Sequence, residues 1–292
     1  MSDKPKSRGW AGQCNLAVVA ALVLLSSQSR GASSSPRQPL DAQMVSIPAG
    51  PFIMGNSAED LPEALPRHQV TLSAYSIDAH EVTNAEYRAC EAAGACTAPS
   101  SLASNTRPNY HTSPAYDAYP VIYVTWAQAS AYCAWDGKRL PTEAEWEKAA
   151  RGGCEIVAPA SCGPEDARTF PWGETPASCT LANYQPYPAP FCVTGGDTDA
   201  VGSRPGGDSP YGVHDMSGNV AEWVSDWYNS NTYSRCSGPC TDPPGAPTGS
   251  ERVVRGGSWD DGAGFLLRVG RRSLDTPTLQ FNQVGFRCAK AP

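Results

Sequence analysis

The sequence predicts an α+β fold with little regular secondary structure. Glycine and proline number 27 each in a chain of 292 residues, both above the usual share, and both interrupt helices and strands. Helix starts are marked by capping boxes, each followed within about three turns by a stop. The strand-like stretches are short, and long aperiodic segments separate them. A hydrophobic content of 40% is enough for a core. No repeat and no internal linker divides the chain, so one domain is expected over 44–290.

Taken in order, the chain opens with Lys4, Lys6 and Arg8 before an apolar run, Leu16–Leu25, and then the small and polar residues Ser26–Ser35. This reads as a secretory signal over 1–32, too short for a membrane span. Arg30-Gly31-Ala32 lacks an A-x-A exit, so an uncleaved anchor stays open. A Ser/Pro linker follows over 33–43. Cys14 lies ahead of the apolar run, and setting it aside from the 11 cysteines leaves an even ten. Eight fall in close pairs: Cys90/Cys96, Cys154/Cys162, Cys179/Cys192 and Cys236/Cys240. None has CxxC spacing and histidines number 4, so disulfides in a secreted or periplasmic protein are expected rather than zinc. The formal charge of −7 with no basic stretch argues against nucleic acid.

Within the domain, Met44–Ile47 and Phe52–Gly55 flank Pro48-Ala49-Gly50 and read as a β-hairpin. His68–Ile77 reads as one further strand. Thr83 with Glu86 caps a helix to about Ala92. Thr97–Tyr119 is an irregular loop, and Pro120–Val124 a short strand. Thr125 with Gln128 caps a helix Trp126–Trp135 that stops at Gly137. Thr142 with Glu145 caps a helix Glu143–Arg151 that stops at Gly152-Gly153. Loops then dominate until Gly212–Trp227. After another loop, Tyr228–Gly249, come Arg252–Val254, the turn Gly256-Gly257-Ser258, a basic cluster (Arg268, Arg271, Arg272) and a β-rich end, Val284–Cys288.

The segments MVSIPAGPFIMG, EVTNAEYRAC, YPVIYVTWAQASAYCAWDGKRLPTEAEWEKAARGG, FPWG, YGVHDMSGNVAEWVSDWY, RVVRGGSW and VGFRC occur in that order. Together they resemble the formylglycine-generating enzyme family, also called the sulfatase-modifying factor domain. The resemblance implies a variant of the C-type lectin fold. It also implies, for active members, oxidation of a sulfatase cysteine to formylglycine with oxygen and copper. Two thiols shortly after the GGS turn hold that metal, since soft sulfur suits Cu(I). Here Trp259–Arg268 contains no cysteine and the interval is shorter, so neither copper nor that oxidation is expected.

The family's disulfides map onto Cys133 with Cys288, which are kept, and onto Ala150 with Val269, which are lost together. Its second calcium site maps onto side chains of Asp215 and Glu222 with carbonyls of Gly218 and Val220, a hard-oxygen set that suits Ca²⁺. The same acids could instead favour a helix N-terminus. Its first calcium site maps onto Asn183 and Tyr184, with Asp197 or Asp199 completing it. Ser258 matches an active-site serine, and Gln283 stands where active enzymes have asparagine. Asp260 and Asp261 read as a solvated acidic turn, or as a site for a cation or basic ligand. Arg268, Arg271 and Arg272 read as ion-pair partners, and the tryptophans as core. No hydrolase, nucleotide-binding or zinc-protease motif is present. The expectation is an exported, monomeric, disulfide-stapled, calcium-binding accessory or binding domain with a protein or glycan partner. The alternative is an oxidoreductase of this family that modifies a sulfatase cysteine or a small molecule.

Overall fold

All three capping boxes form. In α1 (Asn84–Ala92), α2 (Trp126–Trp135) and α3 (Glu143–Arg151), the threonine before the helix accepts from the third-residue N–H. The Glu or Gln at that third position accepts from the threonine N–H in return. Each box satisfies two backbone donors that the helix start leaves unpaired. The computed structural model describes residues 43–56, 61–157, 161–163, 168–236, 240–262 and 264–292. The expected signal segment and the linker up to residue 42 lie outside them.

Three small sheets surround these helices. The first joins β1 (Met44–Ile47), β4 (Tyr75–Asp78) and β10 (Ala289–Lys290), antiparallel throughout. The second joins β2 (Gly50–Met54), β3 (His68–Leu72) and β6 (Cys240–Thr241). The third, in the order β8-β7-β5-β9, is built from β5 (Ala221–Trp227), β7 (Arg252–Arg255), β8 (Ser273–Asp275) and β9 (Val284–Gly285).

Four local expectations change. The hairpin at Pro48-Ala49-Gly50 does not form: β1 pairs with β4 and β2 with β3. Lys148 Nζ, fully buried, donates to Pro48 O at 2.7 Å and Gly50 O at 3.0 Å, and this turns the chain from one sheet into the other. The single strand over His68–Ile77 is likewise two, β3 and β4. At the break the Asp242 carboxylate accepts from both Ser73 N and Ser73 Oγ at 2.8 Å. Pro120–Val124 makes only a bridge to Thr83. Tyr123, at φ 60°, interrupts the extended backbone, and its N–H bonds to Phe281 O. Finally a short helix, α4 (Cys154–Val157), follows Gly153 where a loop was expected.

The described cysteines pair as Cys90–Cys96, Cys133–Cys288, Cys154–Cys162, Cys179–Cys192 and Cys236–Cys240. Ala150 and Val269 are fully buried in one cluster with Trp146 and Val253, so apolar packing occupies the place of the lost disulfide.

Every residue of α3 is buried, including its charged ones. Arg255 reaches Glu143 and Glu147 at 2.6 Å each. Arg272 grips Glu143 at 2.6 and 2.8 Å, and Arg151 meets Glu147 at 2.8 Å. Burial pushes the Glu147 carboxyl up, but Arg151, Arg255 and the Gly55 N–H outweigh it and hold it at about 2. Such charges are tolerated inside a protein because each is paired and hydrogen-bonded.

Asp226 caps the start of α3 by accepting from Glu143 N at 2.8 Å. Burial first, and then the Glu143 carboxylate, push its carboxyl up to about 7. The fold therefore favours neutral Asp226. Between the ordinary carboxylate range and about 7 the native state binds the extra proton, so this group lowers stability as pH rises through that window. Asp226→Asn keeps an acceptor for Glu143 N without the charge. Its melting temperature relative to wild type should climb from about pH 5 to about pH 8; a difference constant with pH would contradict this assignment.

Candidate functional site

β7 runs into Gly256 and Gly257, both at positive φ (94° and 70°). A Cβ on Gly257 would meet Leu266 O at 2.9 Å and Leu267 Cδ2 at 3.0 Å, so glycine is required there. The next residues close a tight turn. Asp261 Oδ2 accepts from Ser258 N at 2.6 Å and from Ser258 Oγ at 3.2 Å. Burial raises the Asp261 carboxyl, opposed by the hydrogen bonds from Ser258. Trp259 is buried, its indole N–H donating to Asn282 O at 3.0 Å and its backbone N–H to Asn219 O at 2.9 Å. Asp260 is exposed, and its carboxylate accepts from Gln283 Nε2 at 2.7 Å.

The structure thus brings Ser258, Asp260, Asp261 and Gln283 together and gives the two acids different roles. Asp261 caps the turn from within, while Asp260 faces outward beside Gln283. Exposed aromatics stand at Tyr187 and, close to the turn and to Gln283 along the chain, at Phe265 and Phe281. Tyr187 is 76% exposed and lies next to Gly262; Phe265 and Phe281 follow at 42% and 43%. Phe191 packs behind, its ring 5.9 Å from that of Trp259.

Copper does not fit this turn. All ten described cysteines are in disulfides, so no thiol pair is available among the described residues. The side chains at the turn are carboxylates, an amide and a hydroxyl, hard donors mismatched to Cu(I).

The expected calcium ligands divide. Glu222, at the second site, lies on β5, so no helix N-terminus accounts for these acids. Both its oxygens are engaged: Arg287 donates Nε at 2.7 Å and Nη2 at 2.8 Å, and Trp146 donates Nε1 at 2.9 Å. Asp215, at φ 55°, accepts from Gly202 N at 2.6 Å and faces Glu81. Burial raises both carboxyls; for Glu81 the facing Asp215 adds to it. Glu81 is fully buried and its Oε2 has no hydrogen-bond partner. Two facing carboxyls with an orphaned buried oxygen are hard donors of the kind a hard cation takes. Gly218 lies in the same turn, and its N–H bonds to Gly256 O at 3.0 Å. Val220 follows it, fully buried.

At the first site, Asn183 Nδ2 donates to Asp197 O at 2.9 Å, and the Tyr184 carbonyl, the atom the resemblance assigns as a ligand, accepts from Cys192 N at 3.1 Å. Asp199 is held by Arg204 at 2.9 Å. Asp197 is surrounded by the chain's own donors.

Glu81, Asn219, Arg287 and Arg107 were missed as site residues. No spacing in the sequence signals them, because each acts across 65 or more positions: Asn219 reaches Glu81 at 3.0 Å over 138, Arg287 reaches Glu222 over 65, and Arg107 reaches Thr198 over 91.

A family model described as the sulfatase-modifying factor enzyme 1-like domain matches residues 28–292. The chain belongs to the sulfatase-modifying factor family. It is 34% identical over 292 residues to the formylglycine-generating enzyme of Streptomyces coelicolor, covering 84% of this chain and 88% of that one. It is also 34% identical to the serine/threonine-protein kinase pkn1 of Chlamydia pneumoniae, over 87% of this chain but 38% of the kinase. The chain therefore spans well under half the length of that relative. Among solved structures, PvdO from Pseudomonas aeruginosa aligns with TM-score 0.64 and 27% identity, over 85% of this chain and 94% of that one. The sulfatase-modifying factor frame thus accounts for the mixed α+β architecture of small sheets and few helices.

Proposed function

We propose that this chain is an exported sulfatase-modifying factor family protein that binds a protein or glycan partner at the Gly256–Asp261 turn, without copper-dependent oxidation. One observation carries the reading: where the resemblance implies copper thiols, the turn is closed by Asp261 on Ser258 and Asp260 on Gln283, and every described cysteine is in a disulfide. Ser258 is buried and bonded only within the turn, which favours a structural hydroxyl over an activated nucleophile. The exposed Tyr187, Phe265 and Phe281 supply apolar area for a partner.

Calcium, in this reading, is held by Asp215 and Glu81 with the carbonyls of Gly218 and Val220, and it stabilises the turn that bonds to Gly256. The disulfides fit an oxidising compartment, and among the described residues no helix is long and apolar enough to cross a membrane. The competing reading, an oxidoreductase of the family, draws on the likeness to the Streptomyces enzyme. Purified protein, reconstituted with Cu(I) and given a sulfatase-derived cysteine peptide, should yield no aldehyde above a metal-free control. Copper-dependent aldehyde formation would overturn the binding reading.

A further inference from the structure

We infer that Arg107 is a built-in cation: with Ser104 and Thr106 it does at the Asp197 carboxylate what a bound metal would otherwise do. Asp197 Oδ2 accepts from Ser104 Oγ at 2.6 Å, Thr106 N at 2.8 Å and Thr106 Oγ1 at 2.6 Å. Its Oδ1 accepts from Thr198 N at 2.8 Å and lies 3.2 Å from Arg107 Nη1. A carboxylate offers about four lone-pair directions, so these donors leave no oxygen for a metal. The Asp197 side chain is wholly buried and that of Arg107 is 14% exposed, a setting in which one unpaired charge would be costly.

The clamp is continuous along the chain. Ser104, Asn105, Thr106 and Arg107 all bond to the segment 195–198. Asn105 Nδ2 reaches Gly196 O at 2.7 Å, and Arg107 Nη1 reaches Thr198 O at 3.1 Å. The guanidinium is fixed from outside by aromatic rings. Its carbon sits 4.9 Å from the Tyr119 centroid and 5.3 Å from that of Tyr116, within cation–π range. The loop 97–119, irregular in sequence, therefore has an assigned task. It carries the positive charge that orders the acidic loop 195–199.

That loop supports the Gly256–Asp261 turn. Asp197 O accepts from Asn183 Nδ2, Asp199 N donates to Asn219 Oδ1 at 2.8 Å, and Asn219 O accepts from Trp259 N. The wall behind Trp259 is thus held by protein donors at this corner and does not depend on metal.

Calorimetric titration of the folded protein with Ca²⁺, alongside thermal melts, tests it. Asp197→Asn should bind the same number of calcium equivalents as wild type, whereas Asp215→Asn reports the other site separately. R107Q should lower the melting temperature by about 5 °C or more in a chelator-containing buffer, and adding D197N to it should cost far less than D197N alone. Loss of a calcium equivalent in D197N would overturn the inference, as would additive costs of the two substitutions or an R107Q melt equal to wild type.

Discussion

Arg255→Met is expected to destabilise the fold by about 3–5 kcal/mol, the usual cost of removing one partner from a buried ionic cluster. Arg255 is 1% exposed and bonds Glu143, Glu147, Tyr233 and Val269 O. Methionine fills much of the volume but leaves Glu147 with Arg151 as its one ion-pair partner and Glu143 with Arg272 as its one, beside the neutral donors Gly55 N and Tyr233 OH. Glu147, held at about 2 by its arginines, contributes stability that is complete above the ordinary carboxylate range and fades only as pH falls toward 2. Losing Arg255 should move that loss to milder acid. Denaturant midpoints at neutral and acidic pH measure both effects. A cost below about 1 kcal/mol would mean the cluster contributes pairing specificity and little stability.

Removing the Cys133–Cys288 disulfide by a double alanine substitution should be the more damaging of two otherwise similar changes. The bond spans a sequence separation of 155, against 6 for Cys90–Cys96. The chain-entropy model then assigns about 5 kcal/mol to the first and about 2 kcal/mol to the second. All four sulfurs belong to fully buried residues or a partly buried neighbour of the same cluster, so cavity effects are comparable. Cys288 links α2 to the C-terminal strands, and β10 completes the sheet containing β4. Melting temperatures of the two double variants should therefore differ by roughly 6–12 °C. Equal losses would show that the denatured chain is already constrained by its other cross-links.

The helices were legible because their signals are local. A threonine and a Glu or Gln three positions on settle a helix start within one turn, and all three pairs form the reciprocal bonds their sequence implies. The strands were not, because partners are chosen across the chain. The Pro48-Ala49-Gly50 turn looked like a hairpin until Lys148, about a hundred residues away, took both of its carbonyls. The Ser73 break depends on Asp242, 169 positions on. At the candidate site the resemblance pointed to Ser258 and Gln283, and the structure joins them through Asp261 and Asp260. What Asp260 and Asp261 do there was not legible, since adjacent acids look alike until one turns inward to Ser258 and the other outward to Gln283.

By itself the sequence determined the family frame, the three helix starts, the close cysteine pairs and the absence of thiols after the GGS turn. Each is a matter of residue identity or of spacing within a few turns. Only the tertiary structure decided which carboxylates are available. Glu222 is spent on Arg287 and Trp146, Asp197 on Ser104, Thr106 and Arg107, and an oxygen of Glu81 is left without a donor. The physical reason is that a buried carboxylate takes its role from whichever donors surround it, and in this chain those donors arrive from segments far apart in sequence.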